Sequence, residues 1–82
     1  MTAYRYRADV LEQLSRHGIQ PSPSTRPEVV HEFVSDLYRY ELRRLRGRLL
    51  DKHFPKPEYY ARVVAVRNRY RVIALKPHEW LE

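Results

Sequence analysis

The 82-residue chain contains no cysteine, two glycines and one methionine. Lack of cysteine removes disulfide staples, thiolate metal sites and cysteine nucleophiles together, and it fits a reducing compartment. With glycine only at positions 18 and 47 there is no glycine-rich phosphate loop and no nucleophile elbow. Long apolar runs are missing too. The longest uncharged stretch, Gly18 to Thr25, holds two prolines and falls far short of the roughly 20 apolar residues that span a bilayer. The opening residues Met1-Thr-Ala-Tyr-Arg5 lack the apolar run of a secretory signal, so the expected location is the cytoplasm.

Valine, isoleucine, leucine and phenylalanine make up about a quarter of the chain, above the level of disordered sequence, so one small unit with one core is expected. The net charge is +6, from thirteen arginines and three lysines against ten acids. Arginine offers a planar fork to carboxylate or phosphate and stacks on rings, so this bias points to contacts more than to solubility. Seven tyrosines and one tryptophan accompany it. Tyr, Trp and Arg carry most interface energy, and the same types serve single-stranded nucleic acid through stacking and phosphate contacts.

The expected architecture is mainly all-α: a single domain over 1–82 with three helices, the second and third forming an antiparallel hairpin, and an extended C-terminal tail. Helix one is placed over about 4–17 from the stripe Val10, Leu11 and Leu14, with Gly18 as the left-handed residue that ends it. Three prolines make 20–27 a semi-rigid spacer. Thr25-Arg-Pro-Glu28 reads as a capping box opening helix two, about 26–52. Its first stripe, Val30, Phe33, Val34 and Leu37, is expected to pack on helix one. The second, Tyr38, Leu42, Leu45 and Leu49, is expected to pack on helix three. Gly47 is the weak point of that helix.

After Pro55-Lys-Pro57, the spacing of Tyr59, Val63, Val66 and Tyr70 predicts a third helix over about 57–68. A β-hairpin within 62–75 is the competing reading, although its turn would lack glycine. The tail over 70–82 is expected to be extended and interrupted by Pro77, with Trp80 and Leu81 as apolar bulk that must dock.

Chemistry-bearing patterns are sparse. His17, His31, His53 and His78 are scattered, and neither His31-Glu32 nor His78-Glu79 continues to a second zinc-ligand histidine. No metal, no cofactor and no catalysis are expected. Glu41, Arg44 and Arg48 share one line of helix two and read as an ion-pair network more readily than as an anion site. Residues 28–41 carry Glu28, Glu32, Asp36 and Glu41 against Arg39, whereas 42–52 carry four arginines and Lys52 against Asp51. Acid first and base last suits the helix dipole. Asp36 has Arg39 and Arg43, and Glu41 has Arg44, as supportive neighbours, so much of the charge is answered internally and only the region around Arg43, Arg46, Arg48, Lys52 and Lys56 is expected to stay unneutralised. Core packing accounts for Tyr38, Tyr59 and Tyr70 but not readily for Tyr4, Tyr6, Tyr40 and Trp80 together, so some of these, with Arg71, are expected to be interface anchors. Trp80 is either an anchor in a partner's pocket or a clasp on the hairpin, with the anchor favoured.

The segments Pro27-Glu28, Leu37-Tyr-Arg-Tyr-Glu-Leu-Arg-Arg-Leu-Arg-Gly-Arg-Leu49, Phe54-Pro-Lys-Pro-Glu-Tyr59, Arg67-Asn-Arg-Tyr70 and Trp80 together resemble a family of short bacterial proteins with an LYxxELRRLRxRL helix and an FPKxEY loop. The resemblance covers about two thirds of the chain and implies a folded family with no activity attached.

The expected function is that of a non-catalytic accessory or adaptor protein. It would be a small basic peripheral subunit docking through Arg, Tyr and Trp on an acidic protein surface. The cytoplasmic face of a larger complex, such as a membrane-bound energy-conversion or photosynthetic one, is a second form of the same expectation, with membrane association only through that partner. The alternative is a nucleic-acid-binding helical protein using the arginine-rich second helix.

Overall fold

The computed structural model describes residues 3–82. It is all-α among those residues, with α1 at Ala8–Ser15, α2 at Pro27–Leu50 and α3 at Lys56–Arg69, followed by 3-10 turns at Arg71–Ala74 and Pro77–Trp80. α2 and α3 pack as the anticipated antiparallel hairpin. Twenty-four residues of α2 run about 36 Å, which gives the molecule its elongated extents of 51 × 19 × 17 Å. One end is the hairpin tip, residues 51–55. The other is a base where both ends of the described chain meet.

α2 starts at Pro27, whose missing N–H would have had no intrahelical partner and whose φ suits a first turn. The capping box does not form. The N-cap is Arg26, without a side-chain cap, because the Thr25 hydroxyl is taken by the preceding turn, accepting from the Ser22 N–H at 3.0 Å. At the far end Lys52 adopts φ +59°, and the His53 N–H donates to the Arg48 carbonyl at 3.0 Å, closing the helix. α3 likewise begins with proline in its first turn. It continues to Arg69, so the β-hairpin reading of 62–75 is set aside. The four-three-four periodicity survives because a helix satisfies every amide locally, whereas Arg67-Asn68 offers no tight hairpin turn.

α1 is shorter than its sequence suggested. Arg5 to Arg7 are extended instead, with Tyr6 and Leu81 forming an antiparallel bridge. The Arg7 N–H donates to the Trp80 carbonyl, and the Glu82 N–H to the Arg5 carbonyl, both at 2.8 Å. Asp9 then receives the Arg7 guanidinium at 2.7 Å in the first turn of α1. Gly18, at φ +75°, ends the segment as anticipated, with the Ile19 N–H reaching the Leu14 carbonyl at 3.0 Å.

The C-terminal segment is not extended but folds into the two 3-10 turns. Pro77 opens the second turn rather than ending anything, and the Glu79 carboxylate accepts the Lys76 N–H at 2.8 Å. These turns, rather than α1, cover the first half of α2, and α1 rests on the turn Arg71–Ala74. The core joins Val10 and Leu14 of α1, Val30, Val34 and Leu45 of α2, Val66 of α3, and Tyr6, Tyr70, Val72 and Trp80. Phe33, expected in the first stripe, lies outside this core. On the 100° wheel Val34 and Leu45 define the inward direction, and Phe33 lies roughly a third of a turn away.

Candidate interaction surface

The anticipated site residues divide between the two ends of the molecule. Arg43, Arg46, Arg48, Lys52 and Lys56 are all exposed on the second half of α2, the tip and the start of α3. Tyr4, Tyr6, Arg71 and Trp80 lie at the base, and Tyr40 sits exposed midway along α2. The ten residues therefore do not form one surface.

At the base, two supposed anchors are core. Trp80 is fully buried, its indole Nε1–H donating to the Val72 carbonyl oxygen at 3.0 Å. Tyr6 is buried as well, its hydroxyl donating to the Thr25 carbonyl at 2.6 Å. Neither can enter a partner's pocket in this fold. Burial, more than the nearby Glu28 charge and Tyr4, pushes the Tyr6 phenol above its ordinary value. Tyr4 is half-buried against the same core, its N–H donating to Pro23. Arg71 is exposed and donates to the Asn68 side chain at 3.1 Å.

Reading by residue type missed His31. Its Nε2 lies 3.1 Å from the Ile73 carbonyl and 3.0 Å from the Leu75 carbonyl, and its ring sits 5.2 Å from that of Trp80. Two acceptors facing one nitrogen require that Nε2 carry the proton. The histidine thereby satisfies one carbonyl of the first 3-10 turn and one of the link that follows it. No local motif signals this, because its partners lie more than 40 positions away.

At the tip every cation lacks a carboxylate partner among the described residues, whereas elsewhere most have one. Arg7, Arg16, Arg26, Arg39, Arg62 and Arg69 each lie within 4 Å of a carboxylate. Among the described residues Arg43, Arg44, Arg46, Arg48, Lys52 and Lys56 have no such partner, and outside the tip Arg5, Arg67, Arg71 and Lys76 have none either. Arg44 joins this set because Glu41 reaches across the hairpin to Arg69 at 3.2 Å instead of to its own helix. Glu41 also contributes, after burial, to raising the Tyr70 phenol.

Glu41, Arg44 and Arg48 form one wall of a cleft of about 360 Å³ between α2 and α3, with Arg62 and Arg69 on the other wall and Leu45, Ala65 and Val66 also lining it. The Arg62 guanidinium stacks 4.5 Å over the Phe54 ring and is steered by Glu58 at 2.6 Å. Lys52 holds a left-handed backbone, which costs a non-glycine residue about 1–2 kcal/mol. A lysine there keeps a cation at the C-terminal end of the α2 dipole.

Such a surface can bind carboxylates or phosphates through unpaired guanidinium groups. Among the described residues no group of three or more His, Asp or Glu side chains is placed to hold a metal ion. No helix there is long and apolar enough to cross a membrane. No protein-family model, no curated protein and no solved structure matches the chain.

Proposed function

We propose that the chain is a non-catalytic adaptor that docks the hairpin tip and the second half of α2 on an acidic protein surface. The supporting observation is the segregation of charge. Among the described residues none of the six cations from Arg43 to Lys56 is answered within the molecule, whereas six of the ten outside that stretch are, Arg5, Arg67, Arg71 and Lys76 being the others. Unpaired like charges on one helix repel, so a partner supplying carboxylates would relieve a cost that the isolated chain bears. A peripheral subunit of a larger complex, including one on the cytoplasmic face of a membrane, would meet this description.

The nucleic-acid reading draws on one feature, exposed Tyr40 one turn from Arg43, since stacking rings and cations together hold single strands. A single experiment separates the two. The tagged chain and an Arg46→Gln/Arg48→Gln/Lys52→Gln variant are used to capture partners, and both are titrated with DNA and RNA at two salt concentrations. The adaptor reading expects an acidic protein captured by the native chain and lost by the variant. Nucleic-acid binding tighter than about 0.1 mM at physiological salt, weakening steeply as salt rises, overturns it in favour of the alternative.

A further inference from the structure

Helix α2 carries apolar side chains on two sides. Away from its core face runs a second line at alternating spacings of four and three: Val29, Phe33, Asp36, Tyr40, Arg43, Gly47 and Leu50. Such spacing keeps all seven on one side of the helix. Val29 is 58% exposed, Phe33 55%, Tyr40 53% and Leu50 70%. Apolar side chains gathered in one line, rather than scattered singly, mark a contact surface.

Gly47 belongs to this line, and the fold itself does not require a glycine there. Its φ is not left-handed, and a Cβ built on it meets nothing within 4 Å. Glycine is also among the poorest helix formers. Its use in the last turn of α2, short of the C-cap Asp51, is explained if something outside the chain needs the space.

We infer that this face of α2 pairs antiparallel with the same face of a second copy of the chain. A two-fold axis passing near Tyr40 sets Val29 opposite Leu50, Phe33 opposite Gly47 and Asp36 opposite Arg43, with Tyr40 against its own copy. Each pair sums to 79 or 80 in residue number, so one register satisfies all of them. The phenylalanine ring then fills the gap left by the glycine. The one acid and the one base of the line meet as opposite charges. Asp36 is already held by Arg39 of its own helix, and its carboxylate has acceptor positions for a second guanidinium.

The charge of α2 selects this occupant and this direction. Glu28, Glu32 and Asp36 lie in its first half, and Arg39, Arg43, Arg44, Arg46 and Arg48 against Glu41 in its second. An antiparallel copy lays acidic half on basic half twice over, by symmetry, whereas a parallel copy would set like on like. Two of the cations unpaired in the single chain, Arg43 and Arg46, come near Asp36 and Glu32 of the second copy. Arg48, Lys52 and Lys56 stay available at each tip.

Sedimentation of the full chain from about 1 to 500 μM reads the association directly. The native chain is expected to dimerise with rising concentration. Asp36→Arg and Arg43→Asp should each weaken the dimer at least about tenfold, and the double variant should regain it because the charges are only exchanged. Gly47→Gln, which changes no charge and enters open space, should abolish the dimer. Far-UV dichroism and melting confirm that each variant folds. A native chain that stays monomeric throughout overturns the inference, as does a dimer that survives the single reversals and Gly47→Gln, or singles that weaken it without recovery in the double. Because Gly47→Gln keeps every tip cation, its effect on self-association is separable from capture of an acidic partner.

Discussion

The indole of Trp80 and the carbonyl of Val72 close the base of the molecule: the Nε1–H donates at 3.0 Å inside a fully buried site. The ring fills the space beneath the first turns of α2, beside His31. Trp80 is thus a clasp within the chain. Trp80→Ala should destabilise the fold by about 3–5 kcal/mol. At roughly 4–8 °C per kcal/mol for a domain of this size, that loss should be evident in a thermal melt. Ending the chain after Pro77 should do the same. Melting curves unchanged by either would place the ring outside the core.

Tyr6 and Thr25 give opposite expectations although one bonds to the other. The Tyr6 hydroxyl donates to the Thr25 carbonyl, a main-chain group that every substitution at 25 retains. Tyr6→Phe should therefore cost about 1 kcal/mol. Thr25→Ala removes only an exposed hydroxyl that caps no helix, and should stay within about 0.5 kcal/mol. Urea unfolding of the two variants checks the order. A larger loss for Thr25→Ala would restore the cap.

His31 is expected to matter for stability more than its scattered sequence context suggests. His31→Ala leaves the Ile73 and Leu75 carbonyls without their shared donor and opens space beside Trp80, at about 1–3 kcal/mol. Nitrogen chemical shifts of the native ring should report a proton on Nε2. The other tautomer would contradict the bonding described.

Alkaline solution should destabilise the fold through Tyr6 and Tyr70. Both phenols are raised above the ordinary value near 10, first by burial and then by Glu28 for one and Glu41 for the other. A raised folded-state pKa means that the folded chain holds the proton more tightly than the unfolded chain. The stabilisation is full below the unfolded value and is lost as pH climbs from about 10 through the folded values. Unfolding free energy measured from pH 8 to pH 12 should fall above 10, and less steeply in Tyr6→Phe once its lower starting stability is subtracted. A slope identical to the native one would remove Tyr6 from the cause.

Local signals carried much of the architecture. Pro27 and Pro57 in first turns, Gly18 in the left-handed region, and the recurrence of Tyr59, Val63, Val66 and Tyr70 act within a few residues, because a helix pairs its amides only four positions apart. The all-α class and the hairpin were legible for that reason. So was the excess of cations around the tip, since charge accumulates along the chain irrespective of fold.

Tertiary structure alone decided the base and the pairing of charges. Tyr6 meets Leu81 across 75 positions, and neither segment signals a strand by itself. Their bridge fixes where α1 begins and turns Trp80 inward. Glu41 selects Arg69 over Arg44 because the hairpin places a guanidinium of α3 beside it, leaving Arg44 open on the cleft wall. Phe33 shares the helical spacing of the core yet stays outside. The direction that is inward for α2 is set by α3 and the C-terminal turns packed against it, and spacing within one helix cannot specify where its neighbours lie.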